Sequence, residues 1–266
     1  MNERPVVFLM YHELEEPGRA LCQSDPGYVR YVLKAANFRA QMQALQREGW
    51  RGVCVGQAID YFDQKSVAIT FDDGSESDLL SAAPVLREFG FSATFYVTSS
   101  WLGKSGYLSP AQLRELRALG FEVGCHSMTH AYLTDLDENG LQSEIVQAKS
   151  QLQRVIGSTV EHFSCPGGRF DRRVARVASL AGYRTVSTSE IRTNTKSTDR
   201  FALGRIPVMR STSLLQFKEV CSGRGLWRLR MSSKLREAGK RVLGNSVYER
   251  IRSTFLRPNP PSELPR

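Results

Sequence analysis

Three groups of residues in this 266-residue chain have the types and spacing for chemistry. Asp72 and Asp73 are adjacent in Thr70-Phe71-Asp72-Asp73-Gly74, just after the apolar run Val67-Ala68-Ile69. His126 and His130 stand four apart in His126-Ser127-Met128-Thr129-His130, and His12 lies in Tyr11-His12-Glu13. On a helix or in a compact turn, histidines at that spacing put both rings on one side, within reach of one ion. Two neutral imidazoles and one carboxylate leave coordination positions open, the donor set of a catalytic rather than a structural metal site. Paired aspartates then permit a division of labour: one binds the metal, and its neighbour takes a proton from water that the metal acidifies. Releasing an amine also needs an acid on the leaving-group side, and His12 is the spare imidazole. Taken singly, each group has a plainer reading. Neighbouring aspartates often cap a helix, and a lone histidine is more often a hydrogen-bonded core residue. The joint placement argues otherwise, because both pairs follow predicted strands of one sheet.

Those strands are predicted at 6–11, 53–55, 67–71, 93–98, 121–125, 162–164 and 184–187, with a further run at 203–209. Helices are predicted between them. Asn37 caps one with Phe38, Met42 and Leu45 on its apolar face, stopped by Gly49. A short helical stretch ends at Phe62, and another helix runs through Leu79, Leu80, Val85 and Leu86 to Gly90, with Pro84 in its first turns or dividing it. Ser109-Pro110 marks an N-cap followed by an N1 proline. Further helices are expected at 139–156 and 171–181, and residues 15–27 read as a polar loop. Alternation at these spacings predicts an α/β protein with a parallel sheet, open or closed into a barrel. Strand C-terminal ends are where such folds gather their chemistry.

With that arrangement in place, the motifs resemble those of the polysaccharide deacetylase family, carbohydrate esterase family 4, over roughly residues 6–209. Thr70–Gly74 is similar to its first motif, His126–His130 to its second, and Phe163-Ser164-Cys165-Pro166-Gly167-Gly168 to its third. The resemblance implies a distorted (β/α) barrel and a divalent ion, usually Zn²⁺ with Co²⁺, Ni²⁺ or Mn²⁺ as alternatives, held by Asp73, His126 and His130. By the same resemblance Asp72 is the general base, and Pro166, Gly168, Arg169 and Arg205 lie at the substrate. Many members carry an arginine where Ser164 stands, to orient the base. Here Arg169 or Arg205 is left to supply a guanidinium, or the role is absent. No histidine follows His162, so the family's late histidine motif is missing. Phe8-Leu9-Met10-Tyr11-His12 resembles the circularly permuted order of exopolysaccharide deacetylases, which makes His12 the acid. The implied activity is hydrolysis of N-acetyl groups on a polysaccharide or oligosaccharide of N-acetylhexosamine units. An amidase or imidase acting on a small molecule uses the same site. A degraded glycan-binding protein would explain Ser164 and the missing late histidine, but has no need of all four aspartates and histidines. His162 has no acidic partner nearby in sequence and reads as a core histidine. Cys125 and Cys165 lack an activating motif and read as small buried residues.

The five cysteines are scattered, form no CxxC pair and suit a reducing compartment. The apolar run at 6–10 is too short for a signal-peptide core, and no stretch of 18 apolar residues occurs. A cytoplasmic protein is therefore expected, peripheral at most to the inner face of a membrane. Of the net charge of +9, eight lie between Lys218 and Arg257, where eleven basic residues face three glutamates. Val247, Ile251 and Phe255 recur at helical spacing there, so a basic amphipathic helix that can meet an anionic membrane surface is expected. A terminal helix docked on the barrel explains the same pattern. Nucleic acid is disfavoured, because no aromatic-and-basic platform occurs. The expected organisation is a deacetylase-like catalytic domain at 1–213, a basic helical extension at 214–257 and a disordered proline-rich end at 258–266.

Overall fold

A computed structural model of the chain describes residues 4–62 and 64–231. The chain forms one compact unit, Met1–Arg224, and a second, Gly225–Arg266. Most of the basic extension, the apolar repeat on Val247, Ile251 and Phe255, and the proline-rich end lie outside the described residues. Among the described residues no helix is long and apolar enough to cross a membrane.

The first unit is a curled parallel sheet wrapped by helices, a distorted (β/α) barrel. In chain order its strands are β1 (Val7–Tyr11), β2 (Leu14–Glu15), β3 (Leu33–Lys34), β4 (Arg51–Val53), β5 (Ser66–Phe71), β6 (Thr94–Val97), β7 (Glu122–Cys125), β8 (His162–Ser164), β9 (Thr185–Ser187) and β10 (Ile206–Pro207). The main sheet runs β10-β1-β5-β6-β7-β8-β9, and β4 pairs with the first half of β5. Every residue of β1 and β5 is buried, as expected of parallel strands covered on both faces. The segment leading into β10 spans the gap between the sheet's ends. Leu203 bridges to Ser187 on β9, and three residues later Ile206 pairs with Leu9 on β1.

The register aligns the strand ends that matter. Tyr11 lies beside Phe71, and Phe71 beside Phe95, so their rings form a ladder with centroids 5.1 Å apart at each step. Phe38 of the helix Ala35–Arg47 packs edge-on against Tyr11 and Phe71, and Tyr11 Oη donates to Gln41 Oε1 at 2.8 Å. Since successive strand side chains point to opposite faces, fixing Tyr11 and Phe71 toward the helices turns the next residues, His12 and Asp72, inward.

Local differences from expectation have physical causes. The helix Ala35–Arg47 begins before Asn37, with Lys34 as its cap and no side-chain capping bond. The strand expected at 53–55 ends at Val53, and Val55 opens the helix Val55–Asp60. The helix around Pro84 starts as a π-helical turn, Asp78–Ala82, and Pro84 sits in the first turn of Ala83–Glu88, where its missing N–H is harmless. Ser109 caps Pro110–Ala118 in a capping box with Gln112. The polar loop lies between β2 and β3, which pair with each other, and runs into the short helix Pro26–Val29. The helix Leu214–Cys221 packs on Ala35–Arg47 within the first unit, burying Phe217 and Cys221.

His162 does have an acidic partner, contrary to the sequence reading. Its Nε2 lies 3.3 Å from Glu122 Oε2, and its Nδ1 is 2.8 Å from Thr185 Oγ1. Glu122 also accepts from the Gly56 N–H and from Thr94. The pairing is across β7 and β8, near the start of β7 and away from the aspartates, so His162 remains a core histidine. A second interior constraint is sharper. A Cβ placed on Gly124 would stand 2.6 Å from Cε1 of the buried Tyr96, whose hydroxyl meets Ser187 Oγ at 3.0 Å across the barrel. Gly124→Ala is expected to lower stability by about 1–3 kcal/mol through this overpacking, read as a lower urea midpoint with an unchanged slope. An unshifted midpoint would mean that Tyr96 is free to move aside.

Candidate active site

Asp72 and Asp73 follow β5, His126 follows β7, His12 follows β1 and Ser164 ends β8, so all five gather at one rim. Among the described residues, three non-glycine positions have left-handed backbone: Asp73 (φ 83), Ser127 (φ 68) and His130 (φ 68). Such a conformation costs roughly 1–2 kcal/mol per residue outside glycine, and strain of this kind concentrates at functional sites. Gly74 follows Asp73 with φ 82, and a Cβ there would meet Val97 Cγ1 at 2.9 Å. The Asp-Gly turn after β5 is therefore required by both backbone and space.

Asp73 Oδ1 is buried, has no hydrogen-bond donor among the described residues, and lies 3.5 Å from Nε2 of both His126 and His130. The three can hold one metal ion. A tetrahedral ion with bonds of about 2.0–2.1 Å separates its donors by roughly 3.3 Å, so the spacing fits. His126 Nδ1 lies 2.9 Å from the Ser164 carbonyl. Its proton must sit on Nδ1 to make that bond, which leaves the Nε2 lone pair facing Asp73. Burial pushes His126 down to about 3, so the ring is neutral, and burial lowers His130 as well. Burial, reinforced by Asp72, lifts Asp73 to about 6 against the pull of His12. A buried carboxylate left without a donor beside two neutral imidazoles is what a cation would satisfy. The two histidines are joined by a compact turn rather than a helix, with His130 N–H donating to Ser127 Oγ at 3.0 Å.

Asp72 is held differently. Arg205 Nη1 and Nη2 donate to its two oxygens at 2.6 and 2.8 Å, a bidentate pair buried on both sides. Arg205 Nη2 also donates to Ser164 Oγ at 2.7 Å, and Nε to the Thr188 carbonyl at 3.0 Å. Ser164 Oγ donates in turn to Asp72 Oδ2 at 3.3 Å. Burial favours the neutral acid, but Arg205, followed by His126, outweighs it and holds Asp72 well below the usual carboxylate range. The guanidinium that the third motif lacks thus arrives from the residue before β10, through space that a small Ser164 leaves open. Arg205 is 0% exposed, and its guanidinium is engaged with Asp72, Ser164 and the Thr188 carbonyl.

His12 is partly exposed, stacks on Tyr31 with ring centroids 4.9 Å apart, and has a buried Nδ1 without a partner among the described residues. Burial lowers its pKa, while Asp73 and Asp72 raise it, so both aspartates lie within its electrostatic reach. Pro166 is buried in the loop after β8. Gly168 has φ 68, and a Cβ there would collide with Ser189. Arg169 is exposed at this rim, with its guanidinium 4.1 Å from the Tyr132 ring centroid and 3.4 Å from Asp135, and does not touch Asp72. Trp101 stacks on His130 at 5.2 Å. Cys125 is pushed up to about 12 by burial and Cys165 is also raised, so neither supplies a thiolate. Trp101, Tyr31 and Glu144, which accepts from the turn between the histidines, escaped the sequence reading. No motif marks them.

Comparison with known proteins matches this arrangement to a family. Residues 60–186, which hold both aspartates, both motif histidines and Ser164, fit the polysaccharide deacetylase family model. Over that span the chain is similar to the polysaccharide deacetylases. It is 27% identical to YxkH of Bacillus subtilis (strain 168) over 215 residues, 78% of this chain and 73% of YxkH. It is 30% identical over 125 residues to a peptidoglycan-N-acetylglucosamine deacetylase of Bacillus cereus, covering 47% of this chain and 56% of that enzyme, so less than two thirds of its length. Among solved structures, the chain superposes on the Streptococcus pyogenes deacetylase PplD with a TM-score of 0.72 at 19% identity, covering 83% of this chain and 99% of that one. IcaB from Ammonifex degensii gives 0.69 at 24% identity, covering 82% and 97%. These superpositions establish the barrel.

Proposed function

We propose that this chain is a polysaccharide deacetylase that removes N-acetyl groups from N-acetylhexosamine units of a polysaccharide or oligosaccharide. Asp73, His126 and His130 hold a divalent ion, Asp72 is the base and His12 the acid. The observation that supports this best is Asp73 Oδ1, buried without a donor and 3.5 Å from two imidazole nitrogens. Zn²⁺ suits this donor set, and Co²⁺, Ni²⁺ or Mn²⁺ accept the same ligands. When bound, such an ion polarises a carbonyl and lowers the pKa of water.

The protein's own groups supply the rest. Asp72, fixed by Arg205 and Ser164, takes the proton of the attacking water at a carboxylate oxygen. As the amide C–N bond breaks, His12 delivers a proton to the departing nitrogen, giving acetate and a free amine. Trp101 beside His130 and Tyr31 beside His12 place aromatic rings at the rim that a sugar would approach. A peptidoglycan-N-acetylglucosamine deacetylase and a chitooligosaccharide deacetylase of Sinorhizobium fredii are both relatives, which supports the substrate class. The bidentate Arg205–Asp72 pair supports this reading over that of a degraded site.

The test is acetate release from N-acetylglucosamine oligomers by wild type and His12→Ala, each also assayed on an aryl acetate. An aryl oxide leaves without protonation, whereas an amine does not. His12→Ala is therefore expected to lose about 10²–10⁴-fold on the amide and to keep most of its rate on the ester. Equal losses on both would remove the acid assignment, and a wild type inactive on every acetylated glycan would sink the proposed activity.

A further inference from the structure

The turn between the two histidines has little regular structure of its own. Its carbonyls at Ser127 and Met128 accept from Ser99 and Ser100 N–H at 3.1 and 2.9 Å. Its amides at Met128 and Thr129 both donate to one oxygen, Glu144 Oε2, at 3.0 and 2.9 Å, and Thr129 Oγ1 donates to Glu144 Oε1 at 2.6 Å. Three donors from the metal-site turn thus converge on one carboxylate that is 7% exposed. Glu144 lies in a π-helical segment, Gln142–Gln147, between the helices Glu138–Leu141 and Ala148–Ile156. Leu141, Ile145 and Ala148 around it are fully buried, so the segment cannot rotate to withdraw the carboxylate without exposing core. Wide π turns recur where a helix must aim a side chain at a functional site.

We propose that Glu144 is a positioning residue for the metal: it never touches the ion but fixes the turn so that His130 faces Asp73. This rests on the metal site proposed above. His126 is anchored independently through the Ser164 carbonyl. The His130 side chain is 30% exposed and sits at a left-handed residue directly after Thr129, so it is the ligand that drifts if the turn relaxes. Without Glu144, two amides and a hydroxyl lose their acceptor, and only the carbonyl bonds to Ser99 and Ser100 and the His130–Ser127 bond are left against the strain at Ser127 and His130.

The test is Zn²⁺ affinity by competition with a chromophoric chelator for wild type, Glu144→Ala, Glu144→Gln and Leu152→Ala, with Co²⁺ spectra to report coordination. Glu144→Ala is expected to raise the Zn²⁺ Kd by about 10–100-fold, as loss of a group that orients a ligand does, with a changed Co²⁺ spectrum. Glu144→Gln keeps an oxygen for both amides and recovers most of the affinity. Leu152 is buried on the adjoining helix, and Leu152→Ala lowers Tm while leaving Kd unchanged. A wild-type Kd in Glu144→Ala, or an equal loosening in Leu152→Ala, would overturn the inference alone. A wild type that binds no divalent ion would remove the metal site and this inference together.

Discussion

Replacing Arg205 with lysine is expected to lower kcat/KM on an acetylated glucosamine oligomer by about 100-fold, the usual scale for displacing a catalytic group by an ångström. Lysine keeps the positive charge but cannot make two parallel bonds to Asp72. The carboxylate would stay ionised yet lose its fixed orientation, so the fall should appear in kcat more than in KM. Arg205→Ala does further damage. It leaves Asp72 as an uncompensated buried charge and strips donors from Ser164 Oγ and the Thr188 carbonyl. Breaking a buried pair this way costs about 3–5 kcal/mol, visible as a large drop in denaturation midpoint. The family resemblance supplies a rescue. Ser164→Arg combined with Arg205→Ala places a guanidinium where the resemblance implies one, in the volume that Arg205 vacates, and should restore part of both stability and rate. Wild-type kcat/KM in Arg205→Lys would show that Asp72 needs no orienting partner.

What could be read from the sequence follows how local each signal is. Asp72 and Asp73 announce themselves because the strand that delivers them, the glycine that turns the chain and the carboxylates are contiguous. His126 and His130 are equally local, although the turn that joins them is left-handed at two residues, which spacing does not reveal. Arg205 could be named from sequence only as one of two candidate guanidiniums, because nothing local separates it from Arg169. Its pairing with Asp72 spans 133 positions and depends on the crossover that brings β10 beside β1. Glu144 is silent for another reason. It binds backbone amides, which every residue but proline possesses, so no residue type at 128 or 129 betrays it. The π turns at Asp78–Ala82 and Gln142–Gln147 are likewise invisible to a pattern built on 3.6 residues per turn. His162 looked alone because Glu122 is adjacent only once β7 and β8 pair.

The larger expectation concerns the two aspartates, neighbours in sequence that the structure treats oppositely. Asp72 is clamped by a guanidinium and a hydroxyl, with both oxygens engaged. Asp73 turns an unengaged oxygen toward two imidazoles. If one is base and the other ligand, asparagine at each position separates the roles. Asp72→Asn should retain the ion, because no ligand is touched. Its hydrolysis should fall by about 10²–10⁴-fold, the contribution of a positioned base. Asp73→Asn should lose both ion and activity, since a neutral amide is a poor ligand for a divalent cation. Folding is checked alongside, because Asp72→Asn leaves the Arg205 charge without its counterion.

The most direct measurement is therefore bound Zn²⁺ per chain set beside acetate release from N-acetylglucosamine oligomers, for wild type, Asp72→Asn and Asp73→Asn. The division of labour predicts about one ion in wild type and in Asp72→Asn, acetate release in wild type alone, and neither ion nor acetate in Asp73→Asn. An Asp72→Asn protein that sheds zinc as readily as Asp73→Asn, or that releases acetate at the wild-type rate, would contradict it.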